Sequence, residues 1–178
     1  MDNLIRKLQV IANIAIVIVS ILISSVIVKY VLLSDPTKSS ANTDSRDRVS
    51  IGTKLSISGL DWAQNGHTLL LALSPNCHYC SESAPFYQQL SKEVGVRRGI
   101  TLTALFPNSA SNGLEYLKKM NVLIHDIRQT PFASAGIKGT PTIILVDSNG
   151  FVKKVWLGKL IKKQEAEVIN QIQSFPSA

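Results

Sequence analysis

Apolar residues follow two different patterns along the chain. A continuous run without formal charge occupies residues 8–28, whereas shorter apolar runs separated by polar turns recur from residue 51 onward. As a helix the first run is roughly 32 Å long, which is enough to cross the hydrocarbon core of a membrane. The sequence therefore predicts one N-terminal transmembrane helix at residues 8–28 and a folded domain at residues 51–178.

The flanks of the apolar run indicate its orientation. Arg6 and Lys7 precede it, so the positive-inside rule places residues 1–7 in the cytoplasm. A cleaved signal peptide is one alternative, but its apolar region is normally about 7–15 residues long and ends in an Ala-x-Ala-like site. A buried core helix is a second alternative. We expect an uncleaved single-pass anchor in the cell (inner) membrane, with the C-terminal domain outside the cytoplasm, in the periplasm.

Residues 29–50 separate this anchor from the domain. Most of them are polar or charged, with few apolar side chains after residue 33. Such a stretch cannot bury enough apolar surface to fold by itself. We expect a flexible linker at residues 29–50.

The domain alternates between strand and helix patterns. Strands are predicted at residues 55–57, 68–73, 100–106, 142–146 and 152–157, with a strand or extended segment at residues 121–126. Helices are predicted after Cys80, with a kink at Pro85, then at residues 114–120, from Thr130-Pro131 onward, and at Lys162–Gln173. An Asn-Gly turn at residues 149–150 joins the last two strands in a hairpin. This order predicts an α/β fold, a mixed β-sheet with helices on both faces.

The charge of the domain limits the kinds of partner that we expect it to bind. The whole chain carries a formal +7, and residues 51–178 carry 13 Lys or Arg against 8 Asp or Glu. The basic residues are scattered, whereas nucleic-acid binding requires one continuous patch. We expect no nucleic-acid partner, and a basic surface that faces anionic lipid.

The only two cysteines are the main candidate for chemistry. Cys77 and Cys80 follow an apolar strand and open a helix, where unpaired backbone N–H groups favour a thiolate over a thiol. The spacing also allows the second cysteine to close a disulfide, which indicates a redox pair. A structural disulfide is one alternative, although so short a loop contributes little stability. A zinc site is another, but it needs two further ligands.

Two further motifs connect this pair with a known family. The segment Gly-Thr-Pro-Thr at residues 139–142 lies just before a predicted strand, and Pro85 follows the second cysteine by five residues. Together with Cys-His-Tyr-Cys at residues 77–80, they resemble the thioredoxin superfamily. The anchor, the Gly52…Asp61-Trp62…Gly66 lead-in and the hairpin at residues 147–150 resemble TlpA/ResA-type membrane-anchored thiol–disulfide oxidoreductases. The resemblance covers residues 52–175, and it implies a thioredoxin-like fold.

The resemblance also implies roles for four residues. Cys77 would be the nucleophile and Cys80 the resolving thiol. Pro141 would be a cis-proline that keeps metal ions off the thiols and presents the backbone of Thr140 to an extended client peptide. The expected activity is reduction or isomerisation of disulfides in extracytoplasmic proteins. Its partners would be protein dithiol or disulfide clients and a membrane or extracytoplasmic electron partner, with no cofactor and no metal.

His78 and Tyr79 lie between the cysteines and are expected to tune the redox couple. A cationic or donor-rich neighbour stabilises the thiolate, and stabilising the reduced form makes the pair more oxidising. We expect a potential between that of thioredoxin and that of a strong oxidase. An exposed spacer is the alternative for His78, and Tyr79 is expected to be partly buried with a solvated hydroxyl.

The sequence departs from the family pattern at three positions. Leu71 stands where thioredoxins carry a buried Asp, and Asn76 stands where many TlpA/ResA-type proteins carry Trp. Ser83 stands where the cytochrome c maturation members carry a Glu that assists proton transfer. Glu82 is one position away and would point about 100° aside on a helix. No carboxylate is therefore expected to deprotonate Cys80.

Two other functions remain open. A redoxin-type peroxidase would also use Cys77, and Ser74 fits its Pro-x-x-x-Thr/Ser-x-x-Cys motif, but Leu70 occupies the proline position. A copper-delivery protein on the same fold would need a Cys-x-x-x-Cys pair and a distant His, and the spacing here is one residue shorter. The sequence favours dithiol exchange over both.

Overall fold

The computed structural model of this chain describes residues 48–177. The predicted cytoplasmic N-terminus, the predicted anchor at residues 8–28 and the predicted linker as far as residue 47 lie outside the described residues. Across residues 48–177, none of the helices combines the length and apolar character that crossing a membrane requires. The membrane anchor therefore stays a prediction from the sequence.

Five strands and five helices follow one another in the described chain. In order they are α1 (Trp62–Asn65), β1 (His67–Ala72), α2 (His78–Glu82), α3 (Ala84–Gly95), β2 (Ile100–Phe106), α4 (Ala110–Lys119), β3 (Asp126–Gln129), β4 (Thr142–Val146), β5 (Val152–Leu157) and α5 (Lys162–Gln173). They form one sheet in the order β3-β2-β1-β4-β5.

The sheet is mixed, and β1 lies at its centre. β1 is parallel to β2 and antiparallel to β4, while β3 is parallel to β2 and β5 antiparallel to β4. Because β1 is covered on both faces, its sequence is a nearly continuous apolar run rather than an alternating one. In the register of β1 with β4, Ala72 pairs with Thr142. The residues just before β4 therefore lie beside the end of β1, where the cysteine motif begins.

Each face of the sheet has its own core. On one face, alternate residues of the central strands pack against α3, α4 and α5, whose contributing residues include Leu90, Leu117 and Ile172. On the other face, they pack against the irregular segments at residues 49–57 and 135–137, with Trp62 of α1 at the edge. The three long helices share one face, and only the single-turn helix α1 lies on the other. The prediction of helices on both faces is therefore correct only because of α1.

Several predicted elements are confirmed. The strands at residues 100–106, 142–146 and 152–157 and the helix Lys162–Gln173 have the predicted bounds, and residues 147–150 form the hairpin turn. The helix after the first cysteine is interrupted at Ser83, and Pro85 lies in the first turn of α3, where its missing N–H costs no hydrogen bond. The predicted kink is thus a break between two helices.

Other predicted elements are wrong in type or position. Residues 55–57 bury Leu55 and Ile57 but form no strand, because their only ladder contact is the neighbouring bridge between Lys54 and Phe151. The segment after Thr130 forms successive turns instead of a helix. The strand expected at residues 121–126 lies later, at Asp126–Gln129, and the helix expected at residues 114–120 begins at Ala110.

The folded part begins before residue 51. Val49 is 7% exposed, packs into the core opposite the long helices, and donates its backbone N–H to the carbonyl of Gly136 at 2.8 Å. The predicted linker at residues 29–50 therefore includes, at its end, a residue that belongs to the domain.

Candidate active site

The sheet register brings the cysteine motif next to the predicted cis-proline. Cys77 and Cys80 follow the C-terminal end of β1 and form a disulfide, with their Cα atoms 5.2 Å apart. The Thr140–Pro141 peptide bond just before β4 is cis, as the family resemblance implied. The carbonyl oxygen of Thr140 lies 3.3 Å from the sulfur of Cys77. Two segments that are 63 residues apart in sequence thus meet at one sulfur.

Cys77 is the N-cap residue of α2. Its backbone is extended, and its sulfur accepts a hydrogen bond from the backbone N–H of Cys80 at 3.1 Å. In the reduced protein this N–H stabilises a thiolate at Cys77, because hydrogen bonds to a charged acceptor are stronger than those to a neutral one. The Thr140 carbonyl acts in the opposite direction, since it can accept a hydrogen bond from the thiol but repels the thiolate. These two contacts therefore act in opposite directions on the acidity of Cys77.

The two sulfurs differ in their access to solvent. Cys77 is half-buried, whereas Cys80 is 0% exposed and belongs to the core on the side of the long helices. Exchange with another protein requires that its sulfur approach along the S–S axis. Of the two sulfurs, only that of Cys77 is open to such an approach.

The two residues between the cysteines are both exposed. The side chain of His78 is 77% exposed, and its ring centroid lies 5.8 Å from that of Tyr79. Tyr79 is 57% exposed, so the prediction that it is partly buried is wrong. The reason is that α2 has only one buried residue, Cys80, and Tyr79 precedes it on the solvent side.

A carboxylate on α2 contacts two side chains near the cysteine motif. Oε1 of Glu82 lies 3.0 Å from Nε2 of His78, and its Oε2 lies 2.8 Å from Nζ of Lys159. The hydrogen bond from Lys159 is the largest cause that holds the pKa of Glu82 below its usual value, and the same contact raises the pKa of Lys159. The carboxylate of Glu82 is thus engaged with His78 and Lys159.

Ser83 fills the position where some relatives of this fold carry a proton-transfer Glu. It is buried, and its hydroxyl donates to the carbonyl of Tyr79 at 2.8 Å. Below it, the hydroxyl of Tyr87 is buried without a hydrogen-bond partner, and burial raises the pKa of that phenol. Neither group is a base at neutral pH, so neither takes the proton of Cys80.

Sequence reasoning assigned no role to Glu82 and overlooked Lys159. The pairing of His78 with Glu82 follows from their i,i+4 spacing on a helix and could have been found that way. Lys159 has no such signal, because it is 77 residues from Glu82 and meets it only through the fold. Among the residues that the structure describes, no three His, Cys, Asp or Glu side chains are placed to hold a metal ion.

Comparison with known proteins adds to this geometry. No protein-family model matches the sequence, and neither does any curated protein. A candidate thiol:disulfide interchange protein DsbE from Chlorobium tepidum matches 71% of this chain over 97% of its own, with a TM-score of 0.55 and 19% identity. A candidate protein disulfide isomerase from Bacteroides thetaiotaomicron matches 72% of this chain over 88% of its own, with a TM-score of 0.56 and 15% identity.

A third solved structure agrees with these two. The thioredoxin domain of a thiol-disulfide oxidoreductase from Bacteroides vulgatus matches 71% of this chain over 97% of its own, with a TM-score of 0.52 and 16% identity. At sequence identities this low, the similarity shows only that the backbones are arranged alike. The sheet order, the cysteine motif after β1 and the cis-proline before β4 are consistent with that likeness. The described part of this chain has the thioredoxin fold.

Proposed function

We propose that this chain is a membrane-tethered thiol–disulfide oxidoreductase that reduces or isomerises disulfides in proteins outside the cytoplasm. The observation that carries the proposal is the asymmetric disulfide at the start of α2. Cys77 presents a half-exposed sulfur beside Thr140 and Pro141, while Cys80 lies fully buried behind it. This is the arrangement that two successive exchange reactions require.

The reaction proceeds in two steps from the reduced protein. The thiolate of Cys77 attacks one sulfur of a client disulfide, so that a mixed disulfide forms and one client sulfur leaves as a thiolate. Cys80 then loses its proton to solvent and attacks the sulfur of Cys77. The Cys77–Cys80 disulfide closes, the second client sulfur leaves, and two electrons have passed to the client. An electron partner must reduce the pair again, and the reverse sequence would oxidise a client.

The loop before β4 is suited to hold the client during these steps. Thr140 is half-buried, and its backbone lies against the reactive sulfur. An extended peptide can pair with such a backbone segment as an added strand would, which positions a client cysteine over Cys77. Main-chain pairing is independent of side chains, so it suits clients of varied sequence.

The location rests on the sequence. The uncharged run at residues 8–28, preceded by Arg6 and Lys7, supports a membrane anchor with the domain on the far side. A disulfide-forming pair also suits an oxidising compartment outside the cytoplasm. The solved structures that share the fold include proteins named as thiol:disulfide interchange proteins and disulfide isomerases.

The test uses the full-length protein in detergent solution. It should accelerate the reduction of insulin by dithiothreitol, and Cys77→Ala should abolish the acceleration. Hydrogen peroxide consumption without insulin reduction would instead favour the peroxidase, and stoichiometric Cu(I) binding without exchange would favour copper delivery. For the location, protease added to spheroplasts should digest the domain while a cytoplasmic marker survives. Protection of the domain would contradict the proposed orientation.

A further inference from the structure

Glu82 lies on the short helix that Cys77 caps, and its carboxylate contacts two side chains from different segments. His78 follows Cys77 directly in the chain, and Lys159 comes from the loop after β5. Both contact the same carboxylate, at 3.0 Å and 2.8 Å. All three side chains are at least one-third exposed, so the cluster is not a buried structural ion pair. A surface pair of this kind adds little to stability.

The loop that carries Lys159 also supports the cis-proline segment. The backbone N–H of Gly158 donates to the carbonyl of Pro141 at 2.7 Å, and the preceding carbonyl of Thr140 lies 3.3 Å from the sulfur of Cys77. The ion pair between Glu82 and Lys159 therefore closes a ring of contacts. The ring runs from the sulfur through the cis-proline segment and the loop after β5, and returns through α2.

The other charged groups around this ring are few. Tyr79 and Glu165 are the remaining ionisable neighbours that influence Lys159, and Glu165 is already paired with Lys162 at 2.7 Å. Lys138 is the charged residue of the segment that leads to the cis-proline. Within this ring, Glu82 is thus the anion that faces Lys159.

We propose that Glu82 is a positioning residue that sets the acidity of Cys77 through Lys159. By pairing with Lys159, it cancels part of the positive potential that this cation would place on the Cys77 thiolate. Without it, the thiolate would be more stable and the cysteine pair more oxidising. Glu82 therefore keeps the redox couple on the reducing side, in keeping with a reductase or isomerase. This inference deepens the proposed function, although the acidity of Cys77 can be measured independently of it.

The experiment isolates one thiol. Because the chain has only two cysteines, full-length Cys80→Ala retains Cys77 alone, and the ultraviolet absorbance of its thiolate gives its pKa directly. In this background, E82Q should lower the pKa of Cys77 by about 0.3–0.6 unit and K159Q should raise it by about as much, as expected for charges in a largely aqueous setting. The two substitutions together should return the pKa close to its starting value.

A matched control comes from another exposed ion pair. Glu167 on α5 pairs with Lys154 on β5 at 2.8 Å, and E167Q should leave the pKa of Cys77 unchanged. As a second readout, E82Q in the chain with both cysteines should shift the glutathione equilibrium about two- to four-fold toward the reduced pair. Both readouts depend on charge near the sulfur, which a merely structural role of Glu82 would not change.

Opposite shifts from E82Q and K159Q are the signature of the proposal. Shifts in the same direction, or no shift in either variant, would overturn it even if insulin reduction by the unaltered protein is normal. Conversely, opposite shifts in a protein that does not reduce insulin would support the electrostatic role and refute the proposed function. The two failures are therefore distinguishable.

Discussion

Replacement of each cysteine in turn should give opposite outcomes with a client disulfide. Cys80→Ala keeps the half-exposed sulfur of Cys77, so it can form the mixed disulfide but cannot resolve it. Cys77→Ala keeps only a sulfur that is 0% exposed, so it should hardly react at all. We expect Cys80→Ala to accumulate a covalent complex with a disulfide-containing client, and Cys77→Ala to form none.

The size of the effect follows from the geometry of the pair. The two Cα atoms are 5.2 Å apart and the sulfurs already bond, so resolution is intramolecular in the unaltered protein. Well-oriented intramolecular reactions reach effective molarities of about 10⁵ M, and even about 10 M would exceed about 1 mM of an external thiol by about 10⁴-fold. Without Cys80, the complex should therefore persist on the order of 10³–10⁴ times longer.

The assay is a non-reducing gel of full-length variants, quenched with acid after mixing with the client. The control is the variant lacking both cysteines, which should give no complex. Cys80→Ala also removes a buried sulfur, with an expected cost of about 1–2 kcal/mol, so thermal unfolding should confirm that it is folded. Equal trapping by both single variants, or release from Cys80→Ala as fast as from the unaltered protein, would refute the assigned roles.

Two further predictions concern the scaffold around the site. Gly113→Ala in α4 should destabilise the protein by about 1–3 kcal/mol, because the new Cβ would lie 2.5 Å from Cδ2 of the fully buried Phe106. Gly95→Ala in α3, where a Cβ meets nothing within 4 Å, should instead stabilise it by about 0.5–1 kcal/mol, and urea unfolding of the two variants checks the contrast. Burial raises the pKa of Tyr87, so the unfolded chain releases that proton first, and stability should fall as the pH rises above about 10. Tyr87→Phe should reduce this alkaline loss in thermal unfolding, and an unchanged loss would contradict the cause.

The parts of the fold that could be predicted from the sequence are those whose pattern of apolar and polar residues is compatible with only one local structure. Strands such as Thr142–Val146 are covered on both faces, so they appear as nearly continuous apolar runs between turn residues. The cysteine motif and the segment at residues 139–142 predicted the site for a similar reason. Each motif is typical of one particular backbone arrangement, and few other sequences are compatible with it. The register of β1 with β4 then brings them together.

The parts that could not be predicted depend on partners that are distant in sequence. Leu55 and Ile57 alternate as in a strand, but the pattern reports only burial, and the sheet has no ladder partner for them. Tyrosine has an apolar ring and a polar hydroxyl, which is typical of a half-buried position. Tyr79 nevertheless lies on the exposed side of a one-turn helix. Lys159 reaches Glu82 only because the loop after β5 folds over α2. Local patterns contain none of this information.

The central claim is that Cys77 is an ionised, accessible thiol at neutral pH while Cys80 is neither. The most direct measurement is the rate at which iodoacetamide alkylates the reduced full-length protein across a pH series, with the modified residue identified by mass spectrometry. We expect Cys77 alone to react, with an apparent pKa below the value of about 8.5 for a free cysteine. A profile centred at or above that value, or modification of Cys80 first, would contradict it.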